Sequence, residues 1–193
     1  MRHLYLPAFI HYKPPVHGLE RLTFGIEDLD RLFEGIGVGM FVVFHGSWLC
    51  HILSEILCVR SQLLRTNEGL PSSVVFIDGG NIFDPYFISE TARKLDLNPE
   101  EILRKIWVSR AFTGYQLTAM ITEELPKILD RENSRLAVIS DITSLYCDPD
   151  IGTWEAKKTF NHVTLFLWKL VMERGVTLVT TSLSSKVERK QSL

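Results

Sequence analysis

Met40-Phe-Val-Val-Phe-His-Gly-Ser-Trp-Leu-Cys-His-Ile-Leu53 is the stretch on which the fold turns. Met40 to Phe44 is a continuous apolar run of strand length, without the alternation of a strand that keeps one face in water. A helical stretch from about Leu49 to Leu64 follows. The same order recurs down the chain. Val74 to Ile77 is an apolar run closed by Asp78-Gly79-Gly80-Asn81, and Pro85 opens a helix reaching about Leu95. The two glycines of that turn are read as supplying backbone with φ > 0. Asn98-Pro99-Glu100-Glu101 reads as a helix cap with Pro at the first position and carboxylates in the first turn. Ile106 to Val108 and Leu136 to Ile139 are further strands, separated by a helix from about Tyr115 to Asp130 that Pro126 should kink. A long helix from about Thr153 to Arg174, capped by Gly175, leads to a last strand, Val176 to Thr180. Strands apolar on both faces, alternating with helices, predict a mostly parallel α/β sheet covered on both sides.

Composition agrees with one soluble globular domain. The 193 residues are 46% hydrophobic and 23% charged, with a net charge of −2. That excludes a disordered chain. No apolar run approaches the roughly 18–20 residues of a membrane span; Val163 to Met172 comes nearest and is broken by Lys169. The N-terminus lacks the pattern of a signal peptide. Three cysteines, Cys50, Cys58 and Cys147, have no CxxC spacing, which argues against a disulfide framework or a zinc site. A reduced, cytoplasmic setting is expected. Cys50 and Cys58 lie two helical turns apart and read as small core residues. The neutral total hides an asymmetry. Residues 1–154 carry 14 Lys/Arg against 20 Asp/Glu, whereas residues 155–193 carry 7 against 3. We expect a single domain, with an arm over residues 1–21, a core over 22–182 and a basic tail over 183–193.

In such a sheet, ligands bind beyond the carboxyl ends of the strands. The loop after Phe44 stands where a phosphate-binding loop, GxxxxGK[ST], would lie. Laid from Gly46, the pattern's second glycine falls on His51, its lysine on Ile52 and its hydroxyl residue on Leu53. None of the groups that wrap phosphate, reach it or bind Mg²⁺ is present. Gly46 and Ser47 remain at the helix start, where an anion could still be attracted. Trp48 and Leu49 suggest a filled site. His45 and His51 do not share a helical face, and no metal is expected.

The surrounding residues resemble the RecA/RadA-type recombinase superfamily in its archaeal and eukaryotic branch. Leu22-Thr-Phe-Gly-Ile-Glu-Asp-Leu-Asp-Arg-Leu-Phe-Glu-Gly-Ile-Gly-Val-Gly39 is similar to the segment entering that ATPase core. Val75-Phe-Ile-Asp78 with Phe83-Asp84-Pro85 resembles its "DTEGTFRP" region. Arg110-Ala111-Phe112 with Gln116 resembles "RAF…Q", and Leu136 to Asp141 with Ser144-Leu145-Tyr146 resembles the Walker B strand and "D…LYR". The likeness covers roughly residues 22–182 and implies a RecA-like core. The departures are systematic. The family's catalytic glutamate aligns with Gly80 and its sensor glutamine with Ser182, and Asp141 alone survives of the residues that handle Mg²⁺·ATP. One carboxylate cannot build a phosphoryl-transfer site. The resemblance therefore implies a pseudo-ATPase paralog with no cofactor, no catalytic residue and at most a vestigial nucleotide site at Gly46, Ser47 and Asp141.

Such a protein would act by binding a recombinase, another RecA-fold protein or a second copy of itself, and single-stranded DNA is a further candidate. The segments near the family's two DNA-binding loops nominate Lys157, Lys158, Lys186, Arg189 and Lys190 as phosphate contacts. Against this stands the plain reading of a solvated basic tail. Arg110 and Phe112 are interface candidates, with an internal salt bridge as the alternative for Arg110. Asp141 reads as a relic metal ligand or, as is more common for an Asp at a strand end, as a loop cap through Thr143 or Ser144. The aromatic load of the long helix (Trp154, Phe160, Phe166 and Trp168) reads as core or as a partner face. Two other functions stay open: a nucleotide-binding enzyme of non-standard type using Asp141 and the Asp78 turn, and a structural homodimer or scaffold without a DNA role.

Overall fold

The computed structural model describes residues 21–33, 35–63 and 73–183. Lys186, Arg189 and Lys190, and nearly all of the expected arm and tail, lie outside them. Leu22 pairs with Ile36 in an isolated antiparallel bridge that brackets helix α1, Glu27–Phe33, an element the apolar pattern does not signal. Strand β1 (Phe41–Gly46) then leads into helix α2 (Leu49–Arg60). Strand β2 (Val74–Asp78) is followed by helices α3 (Pro85–Lys94) and α4 (Pro99–Arg104), and then by strand β3 (Ile106–Arg110).

The next helical stretch is interrupted as Pro126 demands. Helix α5 (Gly114–Ala119) passes through a π-helical turn, Met120–Glu124, into helix α6 (Leu125–Arg131). A proline lacks the N–H that would bond the carbonyl one turn back, and its ring pushes that carbonyl away, so a widened turn precedes it. Strand β4 (Leu136–Ser140), helix α7 (Thr153–Arg174) and strand β5 (Thr177–Leu183) complete the described chain.

The five strands form one sheet in the order β1-β5-β4-β2-β3, and every pairing is parallel. Alternate residues of each strand serve different cores. Val74, Phe76, Leu136, Val138 and Val179 join Leu57, Cys58, Ile88 and Ile102 of α2 to α4. Val75, Ile77, Ala137, Ile139 and Leu178 join Leu117, Leu125, Val163 and Leu167 of α5 to α7. The α/β expectation holds. The strands run one to three residues further than their apolar runs, because the ladder carries polar residues such as Asp78, Ser140 and Ser182 into the interior at the carboxyl edge. Helix α7 is only partly core. Leu167 and Leu170 are buried, whereas Trp154, Leu165 and Trp168 are exposed.

Cys50 and Cys58 are buried and Cys147 is exposed. Burial pushes the Cys58 thiol well above its ordinary range, away from the reactive thiolate. A native-state thiol titration should therefore modify Cys147 quickly and leave Cys50 and Cys58 protected until denaturant is added. Rapid modification of all three would contradict the packing of α2.

Candidate nucleotide and partner edge

The carboxyl ends of the strands divide into two parts. On one side lies the turn after β1. Gly46 has φ +141°, a conformation closed to most other residues, and only Ser47 and Trp48 separate it from α2. The Cys50 amide donates to the Ser47 carbonyl and the His51 amide to the Trp48 carbonyl, both at 3.0 Å. These are two of the N–H groups that a helix start offers to an anion. Trp48 and Leu49 stand at the surface of this turn. They are 56% and 53% exposed, because side chains in the first turn of a helix point back past its N-terminus. His51 turns inward instead. Its Nδ1 shares a 3.0 Å hydrogen bond with Oγ1 of Thr181, which also accepts the Asp141 amide at 2.8 Å. Ser182 and Thr143 hydroxyls meet at 2.9 Å beside them.

Asp141 sits at the end of β4 with φ +43° and is buried. Its backbone carbonyl, rather than its carboxylate, accepts from the Ser144 amide and hydroxyl at 3.2 and 3.1 Å. These contacts with Ser144 are thus a main-chain turn rather than the expected side-chain cap. Asparagine and aspartate tolerate this left-handed backbone better than other side chains.

The second part is organised by Asp78, whose side chain is fully buried. Oδ1 accepts from the Ile82 amide at 3.0 Å and the Ser140 hydroxyl at 2.7 Å. Oδ2 accepts from the Phe83 amide at 3.1 Å and from Arg110, through Nε at 3.1 Å and a second guanidinium nitrogen at 3.0 Å. Burial alone would raise this carboxyl. The hydrogen bonds from Ile82, Ser140 and Phe83, with the Arg110 charge, outweigh it and hold the pKa below its ordinary value. Arg110 thus pairs with Asp78 while its own side chain stays partly exposed. Phe112, two residues on, is 70% exposed, and its amide donates to Gln116 Oε1 at 2.9 Å.

The Asp78 turn corrects one expectation. Positive φ falls on Asn81 at +55°, not on the two glycines before it. Gly79 is needed for space, since a Cβ there would stand 2.7 Å from the Ser140 carbonyl oxygen. A Cβ on Gly80 would stand 3.0 Å from that of Asp141.

Lys157 and Lys158 lie on the second turn of α7, which leaves from this same edge, and both are exposed. Lys158 Nζ stands 5.1 Å from the ring centroid of Trp154. Tyr115 Oη donates to Glu155 at 2.8 Å, joining the starts of α5 and α7. Exposed Tyr115 and Trp154 thus lie beside the start of α7 that carries the two lysines, and exposed Phe112 stands three residues before Tyr115. Sequence reasoning named Phe112 and the lysines but missed Tyr115, whose role depends on a contact between distant residues. No group of three or more His, Cys, Asp or Glu residues suited to a metal occurs among the described residues.

Asp78→Ala should cost about 2–4 kcal/mol, because it removes the acceptor of the buried Ser140 hydroxyl, of the part-buried Ile82 and Phe83 amides and of the Arg110 charge. Arg110→Ala should cost less, about 1–2 kcal/mol, since the carboxylate keeps three other donors. Urea midpoints decide the order. Because Asp78 is held below its ordinary value of 3.8, its contribution is full above that pH and is lost as pH falls through the lower folded value.

Comparison with known proteins agrees with this geometry. The Rad51 family model matches residues 17–190. A DNA repair protein RAD51 homolog from Solanum lycopersicum is 26% identical over 168 residues, covering 84% of this chain and 49% of its own. RAD51 homolog B from Zea mays is 27% identical and RAD51 homolog 1 from Arabidopsis thaliana 26%, each over 172 residues with the same coverage. The chain spans about half the length of these relatives. With its five-stranded parallel RecA-like core, it belongs to the Rad51 family.

Proposed function

We propose that this chain is a pseudo-ATPase of the Rad51 family that takes part in DNA recombination or repair by binding. Its partner is a recombinase, another RecA-fold protein or a second copy. The observation that carries the reading is the closed turn after β1. Ile52 and Leu53 replace the lysine and the hydroxyl residue, and the Cys50 and His51 amides are spent on the Ser47 and Trp48 carbonyls. A phosphate would have to break both bonds and would gain no cation in return. The His51–Thr181 bond supports the same view, since it ties α2 to β5 from within the protein. ATP is not a cofactor in this reading, no residue is catalytic, and Gly46, Ser47 and Asp141 mark only the vestige of a nucleotide site. The arrangement suits a protein that occupies an interface at this edge without hydrolysing nucleotide.

Exposed aromatic residues offer the contact surface. Tyr115 and Trp154 lie beside the start of α7 that carries Lys157 and Lys158, with Phe112 three residues before Tyr115, a combination suited to single-stranded DNA or to a partner's loop. Among the described residues no helix is long and apolar enough to cross a membrane.

Millimolar Mg²⁺·ATP should leave the melting temperature unchanged. A nucleotide at a hundred times its Kd would add about 2.7 kcal/mol, or roughly 5–10 °C for a domain of this size. Such a shift would favour the nucleotide-binding alternative. Pull-down with a recombinase from the same organism should retain the chain without ATP, and loss of binding under every condition would sink the partner assignment. Any DNA binding should weaken steeply with salt and weaken further in Lys157→Ala/Lys158→Ala.

A further inference from the structure

Glu55 is the buried ionisable group that neither the fold nor the proposed function uses. It lies on α2, is 2% exposed, and points to the turn before α3, where its Oε1 accepts the Asp84 amide at 2.7 Å. Asp84 is also the cap of α3, its Oδ1 accepting the Tyr86 and Phe87 amides at 2.8 and 3.2 Å. One carboxyl on α2 thus holds the residue that starts α3, and these two helices pack together. The charged groups acting on Glu55 are Asp84 and Asp78, both acidic. Arg110 pairs with Asp78. Along α2, Cys58 feels the Glu55 charge, and His51 one turn earlier is bonded to Thr181.

We infer that Glu55 is a proton-linked latch between α2 and the α3 cap: it holds the Asp84 turn when protonated and loosens it when ionised. The protonated acid fits the geometry. Its carbonyl oxygen accepts the Asp84 amide, and no charge is placed between Asp78 and Asp84. Ionisation strengthens that one hydrogen bond. It also puts a negative charge into a buried position that feels the carboxylates of Asp84 and Asp78. Burial first, then the two acidic neighbours, outweigh the Asp84 bond and raise the carboxyl to about 7 from an ordinary 4.5. The sign follows. Between those values the closed state holds a proton that the open state has lost, so closing grows weaker as pH rises through the window and levels off above about 7. The turn controlled this way leads from β2 at the carboxyl edge into α3. The latch does not depend on the proposed function, and a failure of either leaves the other standing.

Carboxyl-detected NMR on the full chain tests the latch without a variant. Glu55 should titrate near 7, and a midpoint near 4.5 overturns the proposal. Hydrogen exchange supplies the second readout. After correction for intrinsic rates, protection of the Asp84, Tyr86 and Phe87 amides should fall by roughly tenfold or more between pH 5 and 7.5. Glu55→Gln keeps the acceptor and removes the charge, so its protection should stay level across that range. Protection independent of pH in the unmodified chain also overturns the latch. So does a fall of equal size in Glu55→Gln.

Discussion

A buried carboxylate that must be fully solvated by protein organises this molecule. Asp78 leaves water completely, and an ionised carboxylate can do so only if donors replace the lost hydration. The donors come from three directions. Ser140 arrives from β4, Arg110 from β3, and the Ile82 and Phe83 amides from the turn that β2 enters. Meeting that one demand aligns the ends of three strands and bends the chain toward α3. It also explains the glycines, because the turn runs so close to β4 that a Cβ on Gly79 would strike the Ser140 carbonyl.

The other half of the edge is held by neutral groups. His51, Thr181, Thr143 and Ser182 bond to one another, and the Asp141 amide joins them through Thr181. In both halves buried polar groups draw hydrogen-bond partners from within the protein. The two halves meet at α2, which begins at the β1 turn and carries Glu55 toward Asp84. Glu55 is the poorly balanced member of this edge. Asp78 has a cation and hydroxyl and amide donors, whereas Glu55 has one amide donor and two acidic neighbours. The same low-dielectric surroundings therefore push the two carboxyls in opposite directions.

The alternation of apolar runs and helices in the sequence determined the parallel sheet, its two covered faces and the order of its elements. Apolar residues dominate folding free energy and leave a periodic trace in the chain. That Ile52 and Leu53, not a lysine and a hydroxyl residue, stand at the motif's spacing from Gly46 was equally plain, because a motif is a matter of residue identity at fixed spacing. Helix α1 was not legible, since it buries no residue and so leaves no apolar period. The polar ends of the strands were missed for the reverse reason. Asp78, Ser140 and Ser182 look like loop residues until the ladder draws them inside.

Only the tertiary structure decided how the edge is closed. Sequence drew attention to Trp48 and Leu49, which are exposed, and gave no sign that His51 bonds Thr181, 130 residues away. It left Arg110 between an interface and an internal pair, and the fold brings it within 3.0 Å of Asp78 while leaving its side chain partly exposed. Tyr115 and Glu155, 40 residues apart, become neighbours only when α5 and α7 leave the same edge. The physical reason is common to all three. Backbone periodicity and motif chemistry act over a few residues, whereas polar satisfaction in a buried site draws on whichever groups the topology brings together.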